Sequence, residues 1–185
     1  MRIACIGWGS LVWKPESLHC FGQWQTDGPT LPIEFARTSR DGRLTLVLTP
    51  NVPPVPTLWI ELDYATADSA REALASRESC DPQAIGLWPG PAPRYAVGAG
   101  EVSAWAQAKG LDAVVWTALR PKFGGMSGKA PESAEVAVAY LKGLSPDAVS
   151  ASREYVERAP VQVRTPFRSV FEAQLGWRSP GEPTT

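Results

Sequence analysis

The sequence predicts an α+β fold, and three features point to it. Strand-like runs dominate the first 64 residues, and the Asp41-Gly42 pair separates two of them. A helix-like run follows them directly. The rest of the chain mixes helical patterns with single strands and shows no regular βαβ alternation.

Residues Arg2–Gly7 combine β-branched and small residues and read as a strand. Ile33–Ser39 and Arg43–Thr49 are the next two, with Arg40-Asp41-Gly42 between them as a hairpin turn in which Asp and Gly both tolerate positive φ. Leu58–Tyr64 is a fourth strand. Thr66–Arg77 has helical spacing, with Thr66 or Asp68 as cap and Ala70, Ala73, Leu74 and Arg77 on one face. Gly98–Lys109 reads as a helix and Ala113–Leu119 as a buried strand. Pro131–Leu141 and Pro146–Glu157 are helices, the second capped by Ser145 with Pro146 in its first position. Val161–Arg164 is expected as a short strand and Phe167–Leu175 as a last helix.

A chain of 185 residues is long enough for one self-sufficient core, expected over residues 1–178, with a proline-rich disordered tail over 179–185. Net charge is −1 and no long basic stripe occurs, which argues against nucleic acid as partner. No apolar run approaches a membrane span, and Gly7, Gly9, Ser10 and Lys14 interrupt the first apolar stretch, making it a poor secretory leader. The cysteines, Cys5, Cys20 and Cys80, are odd in number and form no CxxC pair, so they read as free thiols in a reducing cytoplasm. His19 is the only histidine, which disfavours a metal site. Trp8, Trp13, Trp59 and Trp116 stand on or beside strands and read as core or cavity wall, whereas Trp24, Trp88, Trp105 and Trp177 have no assigned place.

The glycine-rich segments fail the nucleotide-binding patterns. Gly7-Trp8-Gly9 lacks the third glycine of a dinucleotide loop, and Phe123–Ser133 (FGGMSGKAPES) lacks the first glycine and the Ser/Thr of a P-loop. The second segment reads as a mobile loop, with a substrate lid as the alternative. A strand ending in Gly-Trp-Gly-Ser can present several amides to one anion. On the residues alone, a structural turn and a ligand loop are equally supported.

Among reactive groups, Cys20 follows His19 directly and lacks a facing base, Cys5 falls within a strand core, and no serine elbow occurs. Glu78 is a stronger candidate. It ends the helical pattern LASRE, where the helix dipole favours proton uptake by an acid. A solvated Arg77–Glu78 surface pair is the plainer alternative.

Two motifs taken together resemble a known family. The segment GWGSLVWKPESL, Gly7 to Leu18, resembles the GYGSLxWxP segment that opens the ChaC-type glutathione-specific γ-glutamylcyclotransferases of the γ-glutamylcyclotransferase-like superfamily. Leu74-Ala75-Ser76-Arg77-Glu78 resembles that family's L-x-x-R-E segment, and Phe35-Ala36-Arg37 stands where the family has an aromatic and arginine-rich strand. The likeness covers Arg2 to Asp81. It departs from the pattern at Trp8, where tyrosine is usual, and after Glu78, where Ser79-Cys80-Asp81-Pro82 replaces a glycine-containing stretch.

The resemblance implies a γ-glutamylcyclotransferase-like fold, with a mixed β-sheet or barrel core flanked by helices and a helical C-terminal extension. It implies a cytoplasmic, metal-independent enzyme of the lyase or transferase type in glutathione metabolism, working without a cofactor. That enzyme closes a γ-glutamyl group into 5-oxoproline and expels an amine or peptide. Glu78 would be the catalytic acid and base. Trp8, Gly9, Ser10, Leu11 and Arg37 would bind the small γ-glutamyl substrate. Arg40 or Lys14 are further candidates for a charged contact. Neither nucleic acid nor membrane is an expected partner, and a homodimer is compatible with the sequence. A non-catalytic module binding an amino-acid-like ligand on the same fold is the alternative.

Overall fold

The computed structural model describes residues 1–179, so the tail expected over 179–185 lies, from residue 180 on, outside the described residues. The fold is α+β. Its strands are β1 (Ile3–Gly7), β2 (Cys20–Gln25), β3 (Thr30–Thr38), β4 (Leu44–Leu48), β5 (Pro54–Pro56), β6 (Leu58–Leu62), β7 (Ile85–Trp88), β8 (Ala113–Thr117), β9 (Lys122–Phe123) and β10 (Met126–Ser127). Its helices are α1 (Ala67–Glu78), α2 (Ala99–Lys109), α3 (Ala134–Lys142), α4 (Pro146–Arg158) and α5 (Pro166–Leu175).

The strands form two open sheets and close no barrel. The first runs β2-β6-β1-β8-β7, with β1 antiparallel to β6 and parallel to β8. The second runs β10-β9-β3-β4, with β5 beside the first residues of β3. The central strand β1 is buried along its whole length. Ile3 and Cys5 pack with Ala70, Leu74 and Ala75 of α1, while Ala4 and Ile6 join the core shared with Ile33, Phe35, Leu46 and Leu48 of the second sheet. Layers on both sides explain why β1 is a continuous apolar run rather than an alternating one. Among the described residues no helix is long and apolar enough to cross a membrane.

Local chemistry accounts for most boundaries. The Thr66 side chain accepts from the Ser69 amide and starts α1, and Ser79, in the left-handed region with φ 50°, ends it. Ser133, Ser145 and Thr165 cap α3, α4 and α5 in the same way. The Asp41-Gly42 turn forms, but only Gly42 takes a positive φ, 86°. The Ser39 amide donates to the Arg43 carbonyl at 2.9 Å, which closes a three-residue loop with glycine in the left-handed position.

Two expectations need correction. Val161–Arg164 is not a strand: the Val163 amide turns back to the Pro160 carbonyl at 2.9 Å, and the segment is a turn feeding α5. The expected Phe123–Ser133 loop begins with a short regular element, and residues 128–133 that follow it carry no strand or helix. Met126 pairs with Phe123 across Gly124-Gly125, both at positive φ, giving a two-residue hairpin whose β9 lies parallel to β3. Of the tryptophans, Trp8, Trp59, Trp116 and Trp177 are buried, and Trp13, Trp24, Trp88 and Trp105 are half-buried.

Glu34 joins the second sheet to the C-terminal helices. It is 2% exposed, and it accepts from the Thr165 hydroxyl at 2.5 Å, the Phe35 amide at 2.8 Å and the Phe167 amide at 3.1 Å. Burial pushes its carboxyl up despite these three donors. Replacing Glu34 by Ala strands all three donors, and the expected loss is about 2–4 kcal/mol in urea unfolding, since each orphaned buried group costs on the order of 1–3 kcal/mol.

Candidate active site

The first glycine loop leaves the C-terminal end of β1, beside the end of its parallel neighbour β8. Crevices at the carboxyl ends of parallel strands are common ligand sites. Here a cavity of about 510 Å³ opens between that loop, the end of α1 and the β3–β4 hairpin. Trp8, Gly9, Ser10, Leu11, Arg37 and Glu78, the site residues expected from sequence, all line it.

The glycines serve close approach rather than unusual backbone angles. A Cβ at Gly7 would stand 2.6 Å from the Trp24 ring, and one at Gly9 would run into the Tyr155 hydroxyl. Neither glycine has a positive φ. After them the Val12 amide bonds the Gly9 carbonyl at 3.0 Å and the Lys14 amide bonds the Ser10 carbonyl at 2.8 Å, so the chain makes one helical turn. The first amides of such a turn have no acceptor within it, and those residues border the cavity.

Trp8 borders the cavity, and its indole N–H is engaged within the protein. It is 5% exposed, and its ring N–H donates to the Leu46 carbonyl at 3.2 Å, tying the loop to β4. The Leu46 amide in turn donates to the Tyr155 hydroxyl at 3.3 Å. Tyr155, on α4, brings a phenol to the cavity wall. Desolvation pushes that phenol up to about 12, with the Glu78 charge adding to the effect and the Leu46 and Ser10 amides opposing it. Because Tyr155 accepts from Leu46, its own proton is free to be donated elsewhere. Nothing local in sequence marks Tyr155: it is one buried residue on the face of α4 that includes Ser152 and Val156.

Glu78 is held by its neighbour. Arg77 donates to the Glu78 carboxylate at 2.5 Å, and their side chains are 6% and 18% exposed. The same guanidinium donates to the Lys14 carbonyl at 2.6 and 3.2 Å and reaches the Ser10 hydroxyl at 3.4 Å. The expected alternative of a solvated Arg–Glu surface pair is therefore not what forms. The clamp was missed from sequence because all its other acceptors lie on the distant loop.

Arg37 follows an irregularity in the β3–β4 register between Phe35 and Arg37. Phe35 and Ala36 are both buried there, and Arg37 reaches the cavity wall. Its guanidinium donates to the Arg120 carbonyl at 2.7 Å, and burial pushes its pKa down. Arg40 also lines the cavity; Lys14 does not, and it pairs with Glu16 at 3.3 Å. The thiols are poor nucleophiles. Burial, followed by the Glu78 and Asp81 charges, pushes Cys80 to about 11, burial raises Cys5 and Cys20, and only Cys80 borders the cavity.

Two measurements test this geometry. Arg77→Met removes the clamp and leaves a part-buried carboxylate unpaired; unfolding in urea should show a loss of about 2–4 kcal/mol, with Arg77→Lys recovering only part of it. For Tyr155 the folded pKa of about 12 lies above the usual 10, so its contribution is complete below pH 10 and is lost as pH rises toward 12. Between pH 9 and 12 the wild type should therefore lose up to about 3 kcal/mol more stability than Tyr155→Phe.

No protein-family model matches the chain, and no curated protein matches it. A solved structure does match: the crystal structure of a γ-glutamyl cyclotransferase specific to glutathione from yeast, at 9% identity and a TM-score of 0.46, spanning 95% of this chain and 98% of that one.

Proposed function

We propose that the protein cyclises a γ-glutamyl amide or peptide to 5-oxoproline, releasing the amine. One observation carries the reading: the loop Trp8–Leu11 and Glu78, the two motifs that resemble the γ-glutamylcyclotransferases, border one cavity. In the proposed reaction the substrate's α-amine attacks its own γ-carbonyl. The new C–N bond closes a five-membered ring, and the old amide C–N bond breaks. Attack within one molecule already has a high effective concentration, so the protein's task is to fold the substrate and move protons.

Glu78 takes a proton from the attacking nitrogen and returns it to the leaving nitrogen, leaving the carboxylate unchanged overall. The amides of the Trp8–Leu11 turn other than that of Ser10, which faces the Tyr155 oxygen, hold the α-carboxylate, as the start of a helical turn does for an anion. The Tyr155 hydroxyl donates to the oxyanion that develops on the γ-carbonyl. It supplies from α4 the phenol that Trp8 does not offer. Arg37 adds a charge-assisted contact.

A second reading, a binding module without turnover, draws on the Arg77–Glu78 pair at 2.5 Å: a carboxylate oxygen already engaged by a guanidinium is less available to the attacking nitrogen. The two readings separate in one assay. Wild type incubated with γ-glutamyl dipeptides, glutathione and γ-glutamyl amines should form 5-oxoproline, and Glu78→Gln should lower kcat by about 10²–10⁴-fold. Equal thermal stabilisation of wild type and Glu78→Gln by these ligands, with no product from either, favours the binding module.

A further inference from the structure

The charges around the cavity do not balance. Arg37, Arg40, Arg43 and Lys122 line it against Asp41 and Glu78. Both acids are already engaged, Asp41 by Arg43 at 2.7 Å and Glu78 by Arg77 at 2.5 Å. Arg37, Arg40 and Lys122 remain, and among the described residues no carboxylate lies within ion-pair distance of any of them.

Their placement is costly to the fold. Arg37 and Lys122 are register partners on adjacent parallel strands, β3 and β9. Like charges facing each other across strands repel. Among the described residues the half-buried Arg37 guanidinium donates to the neutral Arg120 carbonyl and to no carboxylate. Thr38 is on the same wall, and its buried hydroxyl has no hydrogen-bond partner among the described residues. An unfilled buried hydroxyl beside uncompensated cations is the complement of an anion with several acceptor oxygens.

We propose that Arg37, Thr38, Arg40 and Lys122 form a second subsite, which takes the leaving half of the substrate, and that this leaving amine carries two negative charges. The assignment to a leaving half rests on the cyclotransferase reading above. A γ-glutamyl head group contributes one carboxylate, which the Trp8–Leu11 turn takes up on the proposed reading. A neutral amine or a monoanion leaves cations unmatched, whereas a dicarboxylic amine or a phosphate monoester of an amino alcohol matches them. The volume of about 510 Å³ is in the range that holds a ligand larger than the head group.

The test is calorimetric binding to Glu78→Gln, which separates recognition from turnover. The probes are γ-glutamylglutamate, γ-glutamyl-phosphoethanolamine, γ-glutamylglycine and γ-glutamylmethylamide. At least one of the first two should bind about tenfold or more tighter than the last two, and whichever binds tighter identifies a dicarboxylate or a phosphate as the preferred dianion. The Arg40 and Lys122 residues are exposed, and neither side chain makes a hydrogen bond among the described residues, so Arg40→Gln/Lys122→Gln should fold normally. In that background the preference should fall to about twofold or less. Equal binding of all four probes, binding of none, or a preference that survives the double substitution overturns the subsite. Dianion preference without 5-oxoproline formation by wild type leaves the subsite standing and removes the reaction; turnover without the preference does the reverse.

Discussion

The Arg77 guanidinium holds the candidate site together. One planar group donates to the last residue of α1, to the Lys14 carbonyl and to the Ser10 hydroxyl, so it joins a helix end to a loop 67 positions earlier in the chain. A lysine ammonium on a flexible stem lacks the fixed fork that spans these acceptors. Because the side chain is 6% exposed, the contacts are little weakened by solvent. The clamp also sets where the Glu78 carboxylate sits, since α1 ends at the left-handed Ser79 and Glu78 is its final residue. Without the clamp the loop and the acid would be two unrelated surface features.

The layers make that meeting possible. The inner strands of the first sheet are buried on both faces, by α1 on one side and by the second sheet with the later helices on the other. The loop leaving β1 therefore emerges where three layers meet. Trp8 and Tyr155 converge on the Leu46 backbone, one donating to its carbonyl and the other accepting from its amide. This links the loop, β4 and α4 through two buried aromatic side chains. The result is a cavity with one polar wall made of the turn and Glu78 and another made of cations on the β3–β4 hairpin and β9.

Elements with strong local chemistry were legible in advance. Thr66, Ser145 and Gly98 sit at helix starts, and Gly42 takes the left-handed position of the hairpin turn. The strands without such signals were not. β2 carries Gly22 at φ 79° and a register irregularity on an exposed edge, so its side chains never alternate. β5 is Pro-Val-Pro and is a strand only because β3 lies beside it. β7 contains Gly86, where a Cβ would meet the Trp116 ring, so its glycine reflects a packing requirement invisible in one segment. Trp8 taught the same lesson at the site. In the sequence it marked a departure from the family's tyrosine, and its ring N–H anchors the loop to Leu46, a contact no single segment reveals.

The sequence by itself determined the α+β class and most helix limits, which depend on periodicity, caps and turns that act over a few residues; the loop and the glutamate were singled out by their resemblance to a family's motifs. Only the tertiary structure decided that Arg77 binds the loop, that Tyr155 faces Gly9, and that Arg37 and Lys122 stand side by side with no counter-ion among the described residues. Each of these joins segments far apart in the chain. Side-chain reach and charge are written in the residue type, but which groups come within that reach is fixed only when the sheets and helices pack.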